Sequence, residues 1–236
     1  MKRILALLTL VPGLALAAPT PTAHVEWNFT GTSGASGSLS LPDGGGGDVV
    51  LVVFGNQPDG ATTLSFTDSG SHTWTRCSSS NTSGAVIFTA PHSGGTGTIT
   101  VTASSSTSSG KKQIATVWTG VDPSALTNCG IKSLATAQSG ASVTATLTGP
   151  SSTLVAFLEN FSGAALTASA GATLIVSWQP GGNSESAYYL TTPNTGSQTI
   201  TGTWSVTSDY DGAWIELRSK CTSRAMTLGG FFGGCY

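Results

Sequence analysis

The alternation of apolar and polar residues along the chain predicts short β-strands. Thr98-Ile99-Thr100-Val101-Thr102 follows a strict period of two, as an antiparallel strand with one buried face requires. Residues 49–54 are apolar throughout, which predicts a central strand covered on both faces. Clusters of Gly, Pro, Asp and Ser bound the apolar runs, and beyond the N-terminal segment no stretch keeps a helical period. The pattern predicts an all-β protein.

The same series of apolar runs occurs twice along the chain, which we interpret as an internal duplication. In the first copy the runs predict strands near residues 37–41, 49–55, 72–77, 85–90, 97–103 and 113–121. The matches are residues 51–54 with 154–157, residues 85–91 with 187–193, Ile99 with Ile200 and Trp118 with Trp214. Matched positions are expected to form the shared core of the two copies.

The duplication predicts an antiparallel β-sandwich fold, for which two arrangements stay open. The copies form either a jelly-roll-like body or two tandem immunoglobulin-like sandwiches packed as one body. We divide the chain into a signal peptide (1–17), an N-terminal segment (18–36), a first repeat (37–125), a second repeat (126–218) and a Gly-rich tail (219–236).

The N-terminal residues have the features of a secretory signal peptide. Lys2 and Arg3 precede an apolar run over residues 4–16, and Ala15-Leu16-Ala17 is a small-residue cleavage signal. Pro12 and Gly13 interrupt the run, which is shorter than the roughly 20 apolar residues needed to cross a bilayer. The sequence therefore predicts a secreted protein without a membrane insertion.

Four cysteines follow, and an even number in an exported chain indicates two disulfides. Cys221 and Cys235 flank the Gly-rich tail and are expected to pair with each other. That pairing leaves Cys77 for Cys129. The second bridge would tie the connector after the first repeat back to that repeat.

The composition restricts the classes of partner. Charged residues make up 8% of the chain, against about 25% in ordinary soluble domains, and the net charge is -2. Neither a basic surface for nucleic acid nor a polybasic segment for anionic lipid is present in the sequence. A neutral partner is expected, either a cell-surface glycan or like subunits.

The second copy carries additional aromatic residues, which predict a ligand-binding edge. Trp204 and Tyr210 lie close in sequence to Asp209 and Asp211. Tyr188 lies where the first copy has an Ile-Phe pair. Aromatic rings beside polar groups suit the stacking and hydrogen bonding of neutral sugars. The alternative, in which these aromatic residues belong to the core and Trp204 caps the sandwich, is favoured.

Residues 209–212, Asp-Tyr-Asp-Gly, offer a candidate Ca²⁺ site, because two carboxylates followed by Gly can wrap a hard cation. A hairpin turn is favoured instead, since Ca²⁺ takes six or more oxygen ligands. No catalytic constellation is recognised in the sequence, and we expect a non-enzymatic protein without a cofactor.

A series of turn and core motifs resembles a known group of proteins. It comprises Gly47-Asp48, the run Thr67-Asp68-Ser69-Gly70-Ser71-His72-Thr73-Trp74-Thr75-Arg76, Ala90-Pro91, residues 98–102 and Gly120-Val121-Asp122. The series resembles a loosely defined group of bacterial secreted and phage-associated β-sandwich proteins. The resemblance implies a β-sandwich fold and a surface or virion setting.

Three functional hypotheses follow. The first is a non-enzymatic surface-contact protein, acting as an adhesion, glycan-binding or extracellular structural module. The second is a virion or extracellular filament subunit. The third is a polysaccharide-active enzyme that depends on Glu216 or Asp209, the acidic residues whose loss would test it.

Overall fold

The computed structural model describes residues 17–29, 33–57, 64–77, 84–104, 111–168, 170–179, 184–192 and 195–220. Over these residues the chain forms strands and turns without a helix, as predicted. None of the described residues belongs to a helix long and apolar enough to span a bilayer. The predicted signal peptide, except Ala17, and the tail from Cys221 onward lie outside the described residues.

The described part of the chain contains antiparallel strands β1 to β14. Their bounds are β1 Thr20–Phe29, β2 Ser33–Leu41, β3 Val49–Gln57, β4 Ser65–Asp68, β5 Thr75–Arg76, β6 Gly84–His92, β7 Gly97–Ser104, β8 Lys111–Thr119, β9 Cys129–Leu147, β10 Ser152–Asn160, β11 Thr167–Ala168, β12 Thr173–Trp178, β13 Ser184–Thr192 and β14 Gly196–Leu217.

The first repeat is a sandwich of two sheets. One sheet has the strand order β1-β8-β3-β6-β5, and the other has the order β2-β7-β4. This is the strand order of a jelly roll, except that the short strand β5 pairs with β6 in the first sheet and does not lie beside β4 in the second. The first repeat therefore begins at β1, which lies within the segment 18–36. Pro21 is tolerated there because β1 is an edge strand that pairs with β8 alone.

The second repeat has the same strand order, built with two long strands that serve both layers. Residues 210–217 of β14 pair with β10, which also pairs with β13, and β13 pairs with β12. Residues 196–203 of β14 pair with β11 and with the second part of β9. Register shifts between Thr203 and Gly212 carry β14 from one layer to the other. The duplication predicted from the sequence is thus present in the topology.

Three apolar cores alternate with the sheets, so the body has four layers. The first core lies inside the first repeat, the second lies between the repeats, and the third lies inside the second repeat. The strands β3 and β10 supply side chains to two cores each. Residues 49–54 of β3 are at most 1% exposed, which confirms the prediction of a strand covered on both faces.

The repeats pack against each other through their central strands. The rings of Phe54 on β3 and Phe157 on β10 stack with centroids 5.8 Å apart and planes 7° apart. These two residues are counterparts in the duplication. Beside them, Trp118 on β8 meets Tyr189 on β13 edge to face at 5.7 Å. An apolar interface around these rings therefore joins the two jelly rolls into one body.

The predicted match of Trp118 with Trp214 is wrong. Trp118 lies opposite Val50, whose counterpart is Thr153, and Thr153 lies opposite Leu217. Leu217 is therefore the structural counterpart of Trp118. The sequence match was therefore displaced by three residues. Side chains alternate between the two faces of a strand, so a displacement by an odd number matches residues that lie on opposite faces. Trp118 is buried between the repeats, whereas Trp214 packs half-buried against the core inside the second repeat.

A disulfide connects the repeats at their edges. Cys77, directly after β5, is bonded to Cys129, the first residue of β9, which confirms the predicted pairing. Both residues border the core between the repeats. The predicted pair Cys221–Cys235 lies outside the described residues.

Replacing both Cys77 and Cys129 with Ser should lower the free energy of unfolding. The bridge spans 52 residues, for which the chain-entropy relation gives roughly 4 kcal/mol at 25 °C. Urea unfolding of the variant and the wild type measures the difference. The control is the double Ser variant of Cys221 and Cys235, which does not touch this bridge. A loss below about 1 kcal/mol would contradict the expected constraint on the unfolded chain.

Candidate functional site

The predicted aromatic edge is part of the core, so it does not form an open surface. Trp204 and Tyr210 are 6% and 5% exposed, and their rings pack against each other with centroids 5.7 Å apart. The indole Nε1 of Trp204 donates a hydrogen bond to the carbonyl of Gln138 at 2.9 Å. Tyr188 is 1% exposed, and its hydroxyl donates to the carbonyl of Leu166. Burial raises the pKa of Tyr188.

The predicted turn at residues 209–212 is also wrong. β14 continues through these residues as a strand with register irregularities, because its two halves belong to different layers of the same sandwich. Asp209 accepts a hydrogen bond from the amide of Ala137 at 3.0 Å. Asp211 is 1% exposed and points away from solvent. The two carboxylates do not form a solvent-facing loop that could wrap a cation.

Asp211 belongs to a row of buried acidic residues on three neighbouring strands. Glu159 on β10 lies directly opposite both Asp211 on β14 and Glu185 on β13. All three share the sheet face of Phe157, which is directed towards the first repeat, and they are at most 1% exposed. At this degree of burial a polysaccharide chain does not reach the row. The row has no signature in the sequence because its members are 26 residues or more apart.

Glu216, one of the two acidic residues of the enzyme hypothesis, is a buried structural group. Its side chain is fully buried and accepts hydrogen bonds from the amides of Thr148 and Gly149, both at 2.9 Å. The side chains of Ser152 and Asn128 also donate to it. Burial acts to raise the pKa of Glu216, but these hydrogen bonds outweigh it and lower the pKa to about 2.

The outer face of each three-stranded layer is covered with hydroxyl groups. In the first repeat the outward side chains are Ser36, Ser38 and Ser40 on β2, Thr98, Thr100 and Thr102 on β7, and Ser65 and Thr67 on β4. They lie in cross-strand rows, such as Ser36, Thr102 and Thr67. No charged side chain is among these outward positions of the three strands. We call this surface the first hydroxyl face.

The second repeat carries an equivalent surface, the second hydroxyl face. Its outward side chains are Ser142, Thr144 and Thr146 on β9, Ser197, Thr199, Thr201 and Thr203 on β14, and Thr167 on β11. The hydroxyls of Thr144 and Thr199 are hydrogen-bonded across the strands at 2.9 Å. Sheet geometry spaces such groups by about 4.8 Å across strands and about 6.7 Å along them. The period-two pattern of Thr98 to Thr102 was the sequence signal for these faces.

The motif around Asp68 has a structural explanation. The Asp68 carboxylate accepts hydrogen bonds from the amide of Gly70 at 2.7 Å, from His72 Nδ1 at 2.8 Å and from Trp74 Nε1 at 2.6 Å. Burial acts to raise the pKa of Asp68, but the hydrogen bonds from His72 and Trp74 outweigh it and hold the pKa below its ordinary value. One carboxylate thus organises the whole loop between β4 and β5.

His72 also contacts His92, at the end of β6. Its Nε2 lies 2.8 Å from Nδ1 of His92, and His92 Nε2 lies 3.2 Å from the carbonyl of Gly95. Both rings border an open pocket of about 640 Å³, whose other polar side chains are Ser71, Thr73, Ser93 and Thr98. The sequence analysis predicted His72 at the start of a strand over residues 72–77 and ended the strand of residues 85–90 before His92. The structure places His72 in a loop and His92 at the end of β6, which brings them together.

Within the described residues, no group of three or more His, Cys, Asp or Glu side chains is arranged to hold a metal ion. Comparisons of the chain with protein-family models, with curated proteins and with solved structures found no match. The fold and its surfaces define a duplicated jelly-roll body with two uncharged hydroxyl faces. The resemblance to secreted and phage-associated proteins stays a prediction.

Replacing Glu216 with Gln should destabilise the fold in a pH-dependent manner. The carboxylate has a folded pKa of about 2 against an ordinary value of 4.5, so its stabilisation is complete above the ordinary value and disappears as the pH falls towards 2. The variant should lose roughly 3 kcal/mol at neutral pH, and the difference from wild type should shrink on acidification. Urea unfolding at neutral and acidic pH measures it. Glu26→Gln, on edge strand β1, is the control, and an equal effect of both variants would contradict the assignment.

Proposed function

We propose that the protein is an exported, non-enzymatic surface-contact module that binds a neutral, hydroxyl-rich partner, namely a cell-surface glycan. The observation that carries this proposal is the pair of hydroxyl faces. Both present regular rows of Ser and Thr without a charged residue among their outward positions. The signal peptide predicted from the sequence supports the extracellular setting.

Hydroxyl groups suit a glycan partner because each both donates and accepts hydrogen bonds, as sugar hydroxyls do. A single such bond contributes only about 0.5–1.5 kcal/mol, because water competes for both partners. Useful affinity therefore requires many simultaneous contacts. A rigid sheet supplies them without the conformational entropy cost of ordering long side chains, and Thr and Ser have short ones.

The two hydroxyl faces lie on opposite sides of the body. Three cores separate four layers, and sheets pack about 10 Å apart, so the faces are roughly 30 Å apart. One molecule therefore contacts one polymer chain on each side. This arrangement supports a bridging or adhesive role for the module.

Binding of the purified protein to a glycan array and to cell-wall polysaccharide tests the proposal. Thr98→Val on the first face and Thr199→Val on the second remove hydroxyls but keep the shape and the β-branch of the side chain. Each lost hydroxyl should weaken binding about two- to tenfold. The matched controls Thr98→Ser and Thr199→Ser keep the hydroxyl and should bind nearly as wild type. No binding by wild type, or equal binding by the Val and Ser variants, would contradict the proposal.

Light scattering separates this proposal from the virion or filament alternative. A strict monomer at high concentration that binds glycan supports surface contact. Concentration-dependent assembly without glycan binding favours like subunits as the partner. Turnover of a polysaccharide that is lost in Asp209→Ala but kept in Thr199→Val would instead favour the enzyme alternative.

A further inference from the structure

The histidine pair His72–His92 is held in a close and rigid setting. The His72 side chain is 9% exposed, and His92 is 6% exposed. Three glycines pack against the rings. A Cβ atom at Gly70 would lie 2.6 Å from Cε1 of His72. A Cβ atom at Gly44 would lie 2.6 Å from Cδ2 of His92, and one at Gly94 would lie 2.9 Å from Cε1 of His92. Bare backbone therefore packs against both rings.

The geometry of the pair is that of a direct hydrogen bond between the rings. The ring centroids are 5.1 Å apart and the facing nitrogens are 2.8 Å apart, a difference of 2.3 Å. This difference is about two centroid-to-nitrogen distances of an imidazole, so the facing nitrogens lie on the line between the centroids. Two ligands of one metal ion would instead aim their lone pairs at a point beside that line.

A proton count follows from the three hydrogen bonds of the pair. The ionised carboxylate of Asp68 and the carbonyl of Gly95 can only accept, so both outer ring nitrogens must carry protons. The bond between the two inner nitrogens requires one more proton. Two neutral imidazoles hold two protons together, yet three are needed. The pair therefore carries one extra proton, and its positive charge balances the charge of Asp68.

We propose that His72 and His92 share one extra proton. Their hydrogen bond thereby forms a pH-sensitive latch between the loop of residues 69–74, which carries His72, and the loop of residues 93–96, which directly follows His92. The shared proton lies either on His72 Nε2 or on His92 Nδ1, and moving it between them leaves all three hydrogen bonds in place. Loss of this proton removes one of the three bonds. Gain of a second places two N–H groups and two positive charges against each other.

Few other charged groups act on the pair. Among the described residues, the pocket lining contains no Asp, Glu, Lys or Arg, and Asp68 of β4 is the acidic partner that reaches a ring. From the loop between β2 and β3, Gly44 contacts His92, and the neighbouring Asp43 is exposed and accepts from the amide of Gly45. Within the described part of the chain, the three hydrogen bonds are therefore the main polar contacts of the pair.

Nitrogen-15 NMR of the histidine rings in the full chain, in chelator-treated buffer, tests the proton count. At neutral pH we expect protons on His72 Nδ1 and His92 Nε2 and one proton shared by the inner nitrogens. Two ring protons in all would overturn the proposal. Stoichiometric binding of added Cu²⁺ or Zn²⁺ at micromolar concentration, with loss of the inner proton, would also overturn it in favour of a metal site.

Hydrogen exchange of the Gly44 amide tests the latch, because that amide donates to the carbonyl of Gly94 at 2.8 Å beside His92. After correction for intrinsic rates, protection should be greatest while the pair holds one extra proton, and it should fall about tenfold on acidification and on alkalinisation. His92→Gln should abolish this peak. His24→Gln, a change at an exposed histidine on β1, should keep it. An unchanged profile in His92→Gln would overturn the latch.

Discussion

The face-to-face packing of β3 on β10 is the interaction on which the structure depends. The central residues of each strand, 49–54 of β3 and 154–158 of β10, are apolar on both faces, so each strand requires a covering layer on both sides. One side is covered by the outer layer of its own jelly roll, and the other side is covered by the sister repeat. Without the other repeat, each jelly roll would expose the apolar side chains of the core between the repeats to water. The stacked pair Phe54 and Phe157 lies at the centre of this mutual protection.

This arrangement decides where polar groups can act. The central strands of the inner sheets are covered on both faces, so the row of Asp211, Glu159 and Glu185 and the bonded carboxylate of Glu216 are buried within the protein. What remains accessible are the outer faces and the loops at the sheet ends. The outer faces carry hydroxyls, and the loops of the first repeat carry the pair His72–His92. The proposed glycan contact and the proposed proton latch therefore occupy different parts of the body.

Much of the fold could be predicted because it depends on local periodicity. The unbroken apolar run of residues 49–54 predicted a strand buried on both faces, which the structure has. The predicted disulfide between Cys77 and Cys129 is also present. The register between copies could not be predicted, since loop lengths differ and an error of three residues moved Trp214 to the wrong face. Trp204 and Tyr210 suggested a binding edge by composition, but their burial follows from the bend of β14 between layers. The approach of His72 to His92 depends on tertiary pairing.

A double-mutant cycle across the interface tests the central claim most directly. Phe54→Leu, Phe157→Leu and the double variant would be compared with wild type by urea unfolding at equilibrium. Mutual protection of the repeats predicts one cooperative transition and a coupling energy of about 0.5–1.5 kcal/mol between the two rings. Two separate transitions, or effects that add within about 0.3 kcal/mol, would contradict the account.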